Sequence, residues 1–269
     1  MFEDIKNLVK MNFKDLNGII NSDFIVYWFL LSLIFLLFPL LNFLAVILFF
    51  ATLIFFLRYF IREVGMKTEF LEFFVNPGES SIFPKIEGIW KDKRELKISF
   101  MNSFLLFFML NIGLFVFLFF LYVFLLLIKV TFFLKSILIV LLVLFMFSLV
   151  LLQVSLYIFF PLLLLKAIEN DSYKELFFGI LTLWDDFYDE NTLIFFRSLI
   201  FDLFWRFVIL ILISLPVILF FILFYKFLII NFWFSLFMGW LCISFVLGLF
   251  FTFFTIDFVK NYYVYFHYV

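Results

Sequence analysis

Three apolar blocks, each too long for a single membrane crossing, constrain this chain more than any other feature. They cover residues 24–57, 102–165 and 198–257. A helix crosses the ~30 Å hydrocarbon layer with about 20 residues. Pro39 and Asn42 interrupt the first block. Proline lacks a backbone donor and disfavours helix in the residue before it, so a tight turn between two short spans is expected at residues 39–42. Lys129, Thr131 and Lys135 break the second block, and Tyr225, Lys226 and Asn231 the third. Each block therefore reads as two spans joined by a short polar turn. The expected fold is an all-α, polytopic transmembrane helical bundle of six spans in three hairpins. It forms one integral membrane domain over residues 1–269, with segment 1–23, connectors 58–101 and 166–197, and tail 258–269 outside the spans.

Composition leaves few alternatives. The chain is 68% hydrophobic and 14% charged, with a mean hydropathy of +1.26. Soluble domains are about 45–50% apolar and about 25% charged, because their surfaces must be covered by polar groups. The natural solvent is a lipid bilayer. A net charge of −1 points to no nucleic-acid partner. Cys242, the only cysteine, can form neither an intramolecular disulfide nor a cysteine-type zinc site, and reads as a packing residue. His267, the only histidine, reads as a tail residue. Residues 1–23 carry Glu3, Asp4, Lys6, Lys10, Lys14, Asp15 and Asp23 and do not resemble a cleavable signal.

Charge orients the scheme. With six spans, all but three of the 19 Lys and Arg residues fall on the side that holds both termini; the exceptions are Lys129, Lys135 and Lys226. Cytoplasmic segments carry the excess of Lys and Arg. Both termini are thus expected in the cytoplasm, with the chain in a bacterial inner (plasma) membrane. Reading the first block as one kinked span gives five spans and termini on opposite sides, and it scatters the basic residues over both faces.

The connectors have an interfacial pattern. Met66, Phe70, Phe73 and Phe74 lie among Lys67, Glu69 and Glu72, and Asn76, Pro77 and Gly78 follow as a stop. Further on, Ser172 and Glu175 have capping-box spacing. Leu176, Phe177, Ile180, Leu183, Trp184 and Phe187 then follow at roughly helical intervals. Such helices lie at headgroup level or against the bundle. Similar leads to the three blocks (Lys14, Asp15, Asn21; Arg94, Glu95, Asn102; Arg197, Ser198), with Trp90 and Trp184 upstream of the second and third, raise the idea of a threefold repeat.

Few residues offer chemistry. Asp185, Asp186 and Asp189 form a DDxxD spacing; on one helix, carboxylates at i and i+4 share a face and suit Mg²⁺. The spacing resembles the aspartate-rich motif of prenyl-transferring enzymes, some of them polytopic. The resemblance covers five residues and implies Mg²⁺ holding a diphosphate. A solvated acidic patch is the plain alternative, and the second acidic motif of those enzymes is not evident here. Asp202 and Arg206, at i and i+4 beside Trp205, read as an ion pair at a helix entrance. Asn111 and Gln153 are candidates for hydrogen bonds between helices, and Asp257 and Lys260 are polar residues near the end of the sixth span. Ser235 with Gly239 and Ser244 with Gly248 have the small-residue spacing that lets helices approach closely. P-loop, HExxH and GxSxG patterns are lacking, and no cofactor is implied outside the DDxxD reading.

Two function classes follow. One is a non-enzymatic membrane component, permease-like or an assembly or accessory subunit, whose partners are the bilayer and other membrane or cytoplasmic proteins. The other is a Mg²⁺-dependent membrane enzyme acting on a lipid-linked or isoprenoid diphosphate through Asp185, Asp186 and Asp189.

Overall fold

The computed structural model describes residues 22–65, 93–127, 159–223 and 232–266, with short helical pieces between 139 and 151. The described residues form helices and no strand: α1 (Ser22–Leu41), α2 (Phe43–Gly65), α3 (Lys93–Leu127), α4 (Phe160–Glu169), α5 (Tyr173–Leu181), α6 (Leu183–Phe187), α7 (Glu190–Leu223) and α8 (Phe232–Phe266). Five of them are long and apolar enough to cross a membrane, over Phe24–Leu41, Phe43–Arg62, Lys93–Ile112, Glu190–Pro216 and Phe234–Tyr262. The remaining expected span, before α4, lies mostly outside the described residues, as do the polar turns at 129–135 and 225–231, Gln153 and the amphipathic run at 66–75.

The break in the first block falls at Asn42. Pro39 is accommodated in the last turn of α1. Asn42 takes φ 42°, the left-handed conformation that asparagine tolerates better than most residues. Its N–H donates to the Phe38 carbonyl at 2.8 Å and its own carbonyl accepts from Val46 N–H at 3.2 Å, closing one helix and opening the next. Tyr27 meets Phe56 at 4.2 Å and Phe35 meets Phe49 at 5.1 Å between ring centroids. The pairs step away from Asn42 on both sides, so α1 and α2 run antiparallel.

The helices pack in the order α7, α8, α1, α2, α3. The seam between α8 and α1 joins residues more than 200 positions apart. The Tyr27 and Thr255 hydroxyls are 3.1 Å apart, and Trp28 Nε1 donates to the Phe245 carbonyl at 2.8 Å. Gly248 faces the Ser32 backbone so closely that a Cβ there would overlap the Ser32 side chain and come within 2.8 Å of its amide nitrogen. The second expected small-residue face behaves differently, because a Cβ on Gly239 meets nothing within 4 Å among the described residues.

The helices do not end at the edges of the apolar blocks. α3 begins at Lys93 and α7 at Glu190, each ahead of the apolar run. Lys, Arg and Glu are good helix formers, and a helix already started adds residues at little cost. At 35 residues α3 is about 50 Å long, well beyond the ~30 Å hydrocarbon thickness. Ile25, Phe29, Leu33, Phe104, Phe108, Phe204, Phe207 and Leu212 are all exposed on the flanks. Water tolerates an apolar surface of that extent poorly; lipid does not penalise it.

Candidate functional site: a charged end of the bundle

The end of α2, the starts of α3 and α7, the end of α4 and the last turns of α8 meet at one end of the bundle. Two charged clusters form there.

The first joins α7 to α8. Arg206 points its fork at Asp257: Nε donates to Oδ2 and Nη2 to Oδ1, both at 3.1 Å. The side chains are only 5% and 1% exposed, and the guanidinium carbon lies 5.4 Å from the Phe253 ring centroid. The sequence spacing had pointed to Asp202 as the partner of Arg206. The carboxylate that receives the fork comes instead from the neighbouring helix, because the bidentate geometry needs a facing carboxylate. Asp202 accepts from Asn261 Nδ2 at 3.0 Å and lies 3.9 Å from Lys260 Nζ. Ser198 Oγ donates to Asn261 Oδ1 at 2.6 Å. Antiparallel packing thus couples Ser198, Asp202 and Arg206, one helical turn apart on α7, to Asp257 and Asn261, one turn apart on α8.

The second cluster surrounds Arg58 on α2. Its Nη2 donates to Asp171 Oδ1 at 2.8 Å and to the Asn170 carbonyl at 3.2 Å, at the C-terminal end of α4, where the helix dipole favours a cation. Its Nε lies 3.5 Å from Glu95 Oε2 on α3. Arg62, one turn on, meets Glu95 Oε1 at 3.1 Å. Asn102, fully buried, donates to the Ala167 carbonyl at 2.7 Å and so fixes α4 against α3. Neither Arg58 nor Asn102 stood out as more than a boundary residue in the sequence. The available signal was Arg58 and Arg62 on one helix face, ahead of an Arg94-Glu95 pair on the next helix. A cavity of about 440 Å³ opens here, lined by Arg58, Arg62, Arg94, Glu95, Glu169, Asp171 and Tyr262 together with Ile61 and Ile168.

The aspartate-rich run does not form one helical face. α6 ends at Phe187 and α7 starts at Glu190, so the chain bends between Asp185 and Asp189. Asp189 Oδ2 accepts from the N–H and hydroxyl of Thr192, at 3.4 and 3.3 Å, a cap for α7. The i, i+4 carboxylate pair expected on a single helix is therefore absent; capping α7 takes Asp189 out of that register. Asp185 is exposed. Among the described residues no group of three or more His, Cys, Asp or Glu side chains could hold a metal ion. Asn111 also departs from expectation: its Nδ2 donates to the Phe107 carbonyl of its own helix at 2.8 Å, not to a neighbour, because a carbonyl one turn back lies within reach of its short side chain.

The connector between α4 and α7 is amphipathic. Ser172 caps α5, its Oγ accepting from Lys174 N–H at 3.3 Å. Leu176, Ile180 and Leu183 are buried, whereas Phe177, Phe178, Leu181, Trp184 and Tyr188 are exposed.

No family model matches the chain, and no curated protein or solved structure matches it either. Its class rests on its own physics: an all-helical protein with several apolar helices suited to a membrane.

Proposed function

We propose that the chain is a six-span integral membrane protein, three hairpins with both termini in the cytoplasm of a bacterial inner membrane. It acts there as a non-enzymatic component, permease-like or an accessory subunit. One observation carries this reading. The exposed aromatic side of the α5–α6 connector lies at the same end of the bundle as the paired charges of α2, α3, α7 and α8. An aromatic shelf beside a charged helix end suits the headgroup layer of the cytoplasmic face and the docking of a partner or a solute there. Asp189 is engaged in capping, so the diphosphate-enzyme reading gains no support from the geometry.

The test is reconstitution of the purified chain in vesicles with a solute screen, together with mild-detergent extraction under crosslinking from Trp184 and Tyr188. Transport, or one reproducible crosslinked subunit, supports the reading. A chain that isolates alone and moves nothing sinks it. So does a Mg²⁺-dependent activity on isoprenoid diphosphates that Asp185→Ala or Asp189→Ala abolishes at unchanged expression.

A further inference from the structure

The α5–α6 connector sets two opposing forces on one surface. Tyr173, Phe178, Leu181, Trp184 and Tyr188 each keep more than half of their area exposed, while Leu176, Ile180 and Leu183 on the other side are buried. Apolar surface gains from leaving water, and Trp and Tyr suit the boundary between hydrocarbon and water. The connector also lies at a suitable level. The Trp184 ring centroid is 4.9 Å from that of Phe159, which is 6.4 Å from that of Phe196 on α7. Starting one turn further along α7, Ile200, Phe201 and Phe204 form the exposed apolar flank. The shelf is thus continuous with the flank that suits lipid. An amphipathic helix in that position seats its apolar face ~5–10 Å into the headgroup boundary.

The charges act in the other direction. Exposed over the same stretch are Asp171, Glu175, Asp185, Asp189 and Glu190, against Lys174. Asp171 pairs with Arg58, and Asp189 caps α7. Glu175, Asp185 and Glu190 have no ion-pair partner among the described residues. Interfacial helices held by anionic lipid carry Lys and Arg on the polar face; this one carries carboxylates. A negative leaflet surface weights the position of a single charge about fivefold, in favour of Lys and Arg and against each carboxylate.

We propose that the α5–α6 shelf is an interfacial anchor for a lipid surface of low net charge. Its aromatic side seats among zwitterionic headgroups, and anionic lipid pushes it outward through Glu175, Asp185 and Glu190. The depth of the connector then follows the anionic content of the leaflet. This rests on the placement of the shelf at the membrane surface proposed above and names the lipid that it fits.

The experiment places nitroxide probes on the full chain, with Cys242→Ser as background, in vesicles of phosphatidylcholine or of an equimolar mixture with phosphatidylglycerol. Phe178→Cys and Leu181→Cys report the shelf, and Phe204→Cys reports the flank of α7; all three positions are exposed. Relaxation by oxygen relative to a water-soluble nickel chelate reads depth. In phosphatidylcholine all three probes should sit in lipid. With phosphatidylglycerol present the two shelf probes should move toward water and the Phe204 probe should stay. Salt at about 1 M, which screens charge beyond ~3 Å, should restore the zwitterionic depth. The combined Glu175→Gln, Asp185→Asn and Glu190→Gln variant should restore it too, and each single neutralisation should restore part. The proposal is overturned if the shelf probes face water in phosphatidylcholine while the Phe204 probe is in lipid. It is also overturned if they are shielded from both relaxants, as in a protein contact, or if phosphatidylglycerol leaves their depth unchanged. A Phe204 probe in water would overturn the membrane placement itself and the anchor with it.

Discussion

Arg206 and Asp257 hold one another where neither could sit alone. Both are buried at the α7–α8 seam, and removing one partner strands a charge. Asp257→Asn should therefore cost about 3–5 kcal/mol, read as a large fall in thermal stability in detergent. Arg206→Leu combined with Asp257→Leu should recover most of that loss, since an apolar pair of similar volume often replaces a buried ion pair without penalty. A double variant as unstable as the single one would show that the pair does more than neutralise itself. Tyr27→Phe is a milder change. It removes one hydroxyl contact with Thr255 and should lower stability by about 0.6 kcal/mol, the average for hydrogen bonds between membrane helices.

Among the helices, close approach is decided locally. Gly248 lies against Ser32 of α1, and Gly239 two turns earlier faces none of the described residues within 4 Å. Gly248→Ala should destabilise the α1–α8 seam by about 1–3 kcal/mol, the usual penalty for overpacking. Gly239→Ala should be neutral or slightly stabilising, given the better helix propensity of alanine. Comparing the two unfolding temperatures tests both. Small-residue spacing marked both glycines equally in the sequence. Spacing reports which residues share a face of one helix, but not which helix, if any, lies opposite. The same limit hid Asp257 as the partner of Arg206: Asp202 was the nearest carboxylate in sequence, whereas the working one is 51 residues away. The turn at Asn42 was legible because proline and asparagine act on their own backbone. The bend between Asp185 and Asp189 was not, since the DDxxD spacing assumed a continuous helix.

For the whole molecule, orientation is the decisive quantity. With Cys242→Ser as background, Tyr188→Cys should react with an impermeant maleimide only from the cytoplasmic side, and Lys226→Cys only from the other. Tags at the two termini should both be protected in intact cells. Opposite protection of the two tags would favour the five-span alternative. The apolar blocks announced the helical class of the fold, and the described helices follow them. The charged end was legible only as a list of basic residues, because its pairing comes from helix neighbours brought together by packing.

The α1–α8 seam also sets an order of events during synthesis. Tyr27 and Trp28 leave the ribosome more than 200 residues before Thr255 and Phe245, the groups they bond. In that interval α1 can lie against α2, but its other side meets only lipid or the insertion machinery. Its hydroxyl and indole N–H must find temporary partners there or stay unmet in hydrocarbon. Contacts so distant in sequence form slowly. A chain halted before α8 should therefore be cleared by membrane proteases faster than the full-length protein, a difference that pulse-chase labelling can measure.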